Sequence, residues 1–195
     1  MPIVITASIL SNRETIIPLL ALCASNFFIT LHCSEANDGS DQMAMLVVLA
    51  ATIAEAFGTS GAVRLALLFI CGQASLAYGT SGILKAMTPG WYDGHFVVEV
   101  LRTGSYGHAR LRELVENRRV LATLLGCLVM FGDCAFAVAW AAPPTICLIL
   151  LCGATLFHFG VASVLGLNTF LWSFAATFPA TMWLSQSIYN LNIAN

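Results

Sequence analysis

Along this chain the apolar positions gather into long, nearly unbroken runs separated by short polar breaks, without the strict alternation that marks strands. Six runs stand out, at about 15–32, 42–57, 62–84, 119–142, 144–166 and 168–188. Each approaches the roughly 20 apolar residues that a membrane-crossing helix needs. In lipid, every backbone polar group must be satisfied within its own segment, and these runs are too long for barrel strands. The pattern therefore predicts an all-α fold. It is one integral membrane domain over 1–195, a bundle of about six transmembrane helices.

Two stretches fall outside the runs. Residues 1–11, "MPIVITASILS", are apolar but too short to cross, and they have neither the basic start nor the cleavage site of a signal peptide, so they read as an interfacial tail. Residues 85–118 form the long polar interval of the chain, and with the flanking Arg119 they hold six of its eight Lys and Arg residues. Inside it, "FVVEVL" and "ARLRELVENRR" are amphipathic, which predicts one or two short helices lying along the membrane surface, parted at Gly104 and Gly107. By the positive-inside rule this segment faces the cytoplasm.

Composition agrees with a lipid setting. Of the 195 residues, 58% are hydrophobic and 9% charged, against about 25% charged in soluble domains, and the mean hydropathy is +0.84. A net charge of −2 without a concentrated basic face away from the membrane argues against nucleic-acid binding. Six of the seven cysteines (Cys23, Cys71, Cys127, Cys134, Cys147 and Cys152) lie inside apolar runs and no CxxC pair occurs, so they read as small packing residues and no metal site is expected. Cys33, at the end of a run, is the accessible one. Walker, dinucleotide, HExxH and nucleophile-elbow motifs are absent from the sequence.

Ionisable groups inside apolar runs are costly and commonly face a partner or a cavity. Three are prominent: Lys85, Asp133 and His158. Lys85 directly follows the third run, where a snorkelling ammonium is the plain structural explanation. Asp133 sits near the middle of the fourth run, too far in to snorkel, and must be protonated or paired. His158 lies within the fifth run, where a neutral interhelical hydrogen-bonder is the plain alternative.

The stretch "YGTSGILKAMTPGWYDG", residues 78–94, with its Gly, Lys, short turn, Trp, acid and Gly in that order, resembles the central signature of the HTTM superfamily. These are the membrane domains related to vitamin K-dependent gamma-carboxylase, including the sporulation-delaying protein B group of bacteria. A second block, "FHFGVASVLGLNTFLWSFAATFPA" at 157–180, is similar to the family's His-containing span and the span after it, so the resemblance covers about 40–180. It implies a multi-pass protein of a bacterial cell membrane in which Lys85 is a base that deprotonates a reduced quinone, Asp133 is its partner and His158 a proton relay. Trp91, Asn168, Gly82 and Gly94 would then bind substrate. A lysine at the edge of an apolar pocket loses hydration of its charged form, which makes a neutral amine accessible. This chain departs from the carboxylase in its hairpin "EANDGSDQ", which lacks the second, histidine base, and in having no large extramembrane portion; the family's usual first span is shortened or missing. Gamma-carboxylation is therefore not expected. The family also places the lysine region on the lumenal or external side, opposite to the charge rule.

Three functions follow. The first is a quinol- or lipid-linked membrane enzyme using a lysine base. The second is a non-catalytic accessory subunit for maturation or assembly of a membrane or secreted peptide complex, docking through Lys85, Trp91 and the 95–118 helices and expected to expose an apolar or aromatic patch around Trp91, Tyr92 and Phe96. The third, a small transporter lined by Asp133 and His158, lacks the inverted repeat and broken helix pairs of such proteins.

Overall fold

The computed structural model describes residues 15–32, 38–103 and 109–193, and all its regular structure is helical. The expected interfacial tail at 1–11, Cys33, and the break at Gly104 and Gly107 lie outside the described residues. Among the described residues four helices are long and apolar enough to cross a membrane: α2 (Gly39–Phe57), α3 (Ser60–Ala86), α6 (Arg119–Ala137) and α7 (Pro144–Leu165). The first run becomes α1 (Ile16–His32), at 17 residues somewhat shorter than these four. The last run is divided, giving α8 (Asn168–Ala175) and α9 (Phe178–Ile193). Between them the hydroxyl of Thr177 turns back to donate to the Phe174 carbonyl at 2.7 Å. Pro179 falls in the first turn of α9, where its missing N–H costs nothing.

Two compact units make up the chain, one of residues 1–74 with 172–195, the other of 75–171. In the first, α1 pairs with α2 through Thr15 to Glu55 at 2.8 Å and Cys23 to Thr52 at 3.3 Å. Helix α2 begins three residues before the apolar run because Asp38 caps it. The Asp38 carboxylate accepts from the backbone N–H of Ser40 and Asp41, and Asp41 accepts from Asp38 in return. Gly58, at φ 60°, ends it.

The second unit holds the end of α3, a 3-10 turn at Pro89–Trp91, α4 (His95–Arg102), α5 (Ala109–Glu116), α6 and α7. Helices α4 and α5 fall on the amphipathic stretches "FVVEVL" and "ARLRELVENRR" of the polar interval. Their apolar faces meet in a small core of Leu101 and Val115 with Ala122 of α6, joined by Val97, Val98 and Leu111. Outward from this unit, Leu128, Phe131, Leu156 and Phe159 are each more than half exposed. Such a surface suits lipid rather than water.

Close backbone approach sets the geometry of this unit. Helices α3 and α6 run antiparallel: Gly79 faces Ala137, and Gly82 faces Asp133 and Cys134. A Cβ on Gly82 would lie 2.6 Å from the Cys134 sulfur and 2.9 Å from its backbone nitrogen. Beyond α3 the chain continues along the same helix. The Trp91 carbonyl sits where a Cβ of Gly126 would be, at 2.2 Å, and Gly94 presses on Ala122 and Thr123. With φ at 78°, Gly94 also takes a backbone conformation that other residues resist.

Substituting Gly126→Ala should therefore force the Trp91 turn off α6 and lower stability by about 1–3 kcal/mol, as overpacking does. Gly72→Ala, which meets nothing within 4 Å, should be neutral or slightly stabilising. Thermal unfolding of the two variants in detergent is the check, and equal melting temperatures would contradict the close contact.

Candidate functional site

Helix α3 carries Tyr78, Ser81 and Lys85 at spacings of three and four, so all three project from one face. That face meets the helices bearing Asp133 and His158. Lys85 Nζ donates to Asp133 Oδ2 at 2.9 Å. Ser81 Oγ donates to the same carboxylate oxygen at 2.9 Å and accepts a close hydrogen bond from Lys85. The Trp91 ring covers the ammonium, its centroid 5.2 Å from Nζ, a cation–π contact. Asp133 is nearly fully buried, whereas the Lys85 side chain remains 19% exposed. Since α6 ends at Ala137 rather than continuing to 142, Asp133 lies close to the helix end and not in its middle.

His158 is placed one step further along the same face. Its Nε2 lies 2.7 Å from the Tyr78 hydroxyl, both groups are buried, and the Tyr78 ring meets Phe136 edge-on at 5.4 Å. The His158 ring also stacks with Phe170 at 6.4 Å. Thus Lys85, Asp133 and Trp91 converge with Ser81, while His158 converges with Tyr78. The two groups share α3 as their common support.

The remaining expected residues sit differently. Gly82 and Gly94 are buried against α6, where their small size makes room for backbone rather than for a ligand. Asn168 is exposed at the first position of α8, its backbone N–H donating to Gly166 O at 3.0 Å. Ser81, Tyr78 and Gly126 take part without having been singled out from the sequence. The first two carry a legible signal, their three- and four-residue offsets from Lys85 on a single helix. Among the described residues no group of three His, Cys, Asp or Glu side chains is arranged to hold a metal ion.

Chemically, an amine, a carboxylate and a hydroxyl within direct contact can hold and pass a proton. No family model, no curated protein and no solved structure matches this chain. Function has to be argued from the chemistry of the site.

Removing one partner of this pair leaves the other charge stranded. Asp133→Asn should destabilise the protein by about 3 kcal/mol or more. The joint change Lys85→Met with Asp133→Leu should recover most of that loss, because no charge remains to be desolvated. Chemical or thermal unfolding of the single and double variants measures this directly, and a double variant weaker than the single would show that the two side chains do not act as a pair.

Proposed function

We propose that this chain is a multi-pass membrane protein of the HTTM, vitamin K-dependent carboxylase-related class, acting as a quinol- or lipid-linked membrane enzyme. In this reading α1 and the α8–α9 segment join the four long helices as membrane elements, and α4 and α5 lie along the membrane surface. The observation that carries the catalytic part is the 2.9 Å contact of Lys85 with Asp133, with Ser81 bridging them. The donor set fits a hydroxylic substrate delivered from the bilayer.

The roles follow from the pairing. In this reading the Lys85 amine takes the hydroxyl proton, and Asp133 balances the ammonium that forms. The O–H bond of the substrate breaks, an N–H bond forms on Lys85, and the new ammonium stays beside the oxyanion left behind. A bound quinol would supply the redox chemistry that amino-acid side chains lack. Trp91 provides an apolar ring over the reacting atoms and excludes water from them.

A second reading, the accessory subunit, is favoured by the exposure of Tyr92, 46% accessible beside the Trp91–Phe96 ring pair. It would use that aromatic corner to hold a membrane or peptide partner, with Lys85–Asp133 as a purely structural pair.

The two separate on one experiment. The protein is reconstituted in lipid nanodiscs with a reduced naphthoquinone and dissolved dioxygen as the oxidant, and the absorbance of the quinol's deprotonated form and its rate of oxidation are followed. On the enzymatic reading the wild type supports both, and Asp133→Asn and Lys85→Met each reduce the rate by about 10²-fold or more, whereas Tyr92→Ala does not. Turnover unchanged in folded Asp133→Asn and Lys85→Met variants would sink the enzymatic proposal.

A further inference from the structure

At the start of α6 the second unit has a cavity of about 290 Å³ whose rim carries Asp93, His95, Glu99, Arg102, Glu116 and Arg119. Its apolar floor is Val98, Val115 and Ala122. The volume is at the lower limit for small-molecule sites, which run from about 300 Å³ upward. A headgroup-sized ligand fits better than a larger one.

Part of the charge around the cavity is already matched. Arg102 donates to Glu99 at 2.7 Å and to Glu116, whose other oxygen lies 3.7 Å from Arg112. Two groups remain available. Arg119, exposed at the first position of α6, is in no ion pair among the described residues. Asp93 engages one carboxylate oxygen with the His95 backbone N–H at 3.0 Å, leaving the other oxygen for a ligand.

Beside Arg119, the first-turn N–H groups of α6 have no side-chain cap, because Arg118 stands at the capping position. A 19-residue helix presents the positive end of its dipole there. Phosphate is the natural occupant of that corner. The rim as a whole, however, has three carboxylates against two guanidinium groups, so a bare anion is not matched to it. A ligand joining phosphate to a cation is.

The cation can also be specified. Carboxylates such as Asp93 and Glu99 reward N–H donors, whereas a quaternary ammonium is held by an aromatic cage. The lining residues include no Trp, Tyr or Phe, which selects a primary ammonium. The exposed apolar residues Val120, Leu124, Leu128 and Phe131 on the outer side of α6, between 61% and 74% accessible, suit a bilayer, which makes a membrane phospholipid the source of such a ligand. We propose that this cavity holds the headgroup of a phospholipid bearing a primary ammonium, its phosphate at Arg119 and the α6 N-terminus and its ammonium at Asp93.

The test uses detergent-purified, delipidated full chain offered phosphatidylethanolamine, phosphatidylglycerol or phosphatidylcholine with identical acyl chains, with bound lipid counted by native mass spectrometry. Phosphatidylethanolamine should be retained above the other two. Arg119→Gln and Asp93→Asn should each weaken its retention about tenfold, the worth of one charged hydrogen bond, and Glu113→Gln, outside the cavity, should not. Both substituted side chains are exposed, and circular dichroism verifies that the variants fold. Equal retention of all three lipids, or undiminished retention by the variants, would overturn the proposal. Soluble phosphoethanolamine binding as tightly as the lipid would overturn the lipid assignment in favour of a free ligand. None of these outcomes bears on Lys85 and Asp133, which are not in the cavity lining.

Discussion

The second unit depends on backbone lying directly against backbone. From Gly82 to Gly94 the chain stays in contact with α6, first as helix and then as an irregular turn, because glycine at Gly82, Gly94 and Gly126 removes the side chains that would hold the two apart. Helix packing in lipid has little hydrophobic driving force, so such close approach is where packing energy is gained. Everything polar in the unit is placed by it. Lys85 reaches Asp133 because α3 is pressed onto α6 just one turn earlier, and Trp91 covers Lys85 because its own carbonyl is seated on Gly126.

A buried ion pair is seldom a net gain over well-packed apolar groups. Lys85 and Asp133 stand 48 residues apart in sequence and are nonetheless joined by a third group, Ser81, with an aromatic ring above. Retaining so costly an arrangement in an apolar bundle is easier to understand if the charges have work to do. The Tyr78–His158 pair joins α3 to α7 through a hydrogen bond at 2.7 Å, a contact worth roughly 1 kcal/mol.

Helical class, and four of the six expected spans as helices long and apolar enough to cross a membrane, were legible because they follow from local periodicity and length, which act within a few turns. Boundaries were less so. The Asp38–Asp41 cap extends α2 beyond its apolar run, and Thr177 divides a run that hydropathy alone leaves whole. At the site, Lys85 and Asp133 were visible as ionisable residues at or within apolar runs and Trp91 through the resemblance, but their meeting is a tertiary fact. Gly82 and Gly94 entered through the resemblance alone, as substrate-binding residues, and in the structure their absent side chains meet α6. Gly126 was passed over, since a glycine inside an apolar helix has no distinguishing local signal until the Trp91 carbonyl is seen against it.

The single polar face of α3 also has a mechanical consequence. Tyr78 engages α7 and Lys85 engages α6, so two different helices hold the same rod at points seven residues apart. Sliding or screwing α3 by one residue would move each side chain about 1.5 Å along the axis and about 100° around it, breaking both engagements together. The two engagements therefore resist the same motions of this helix.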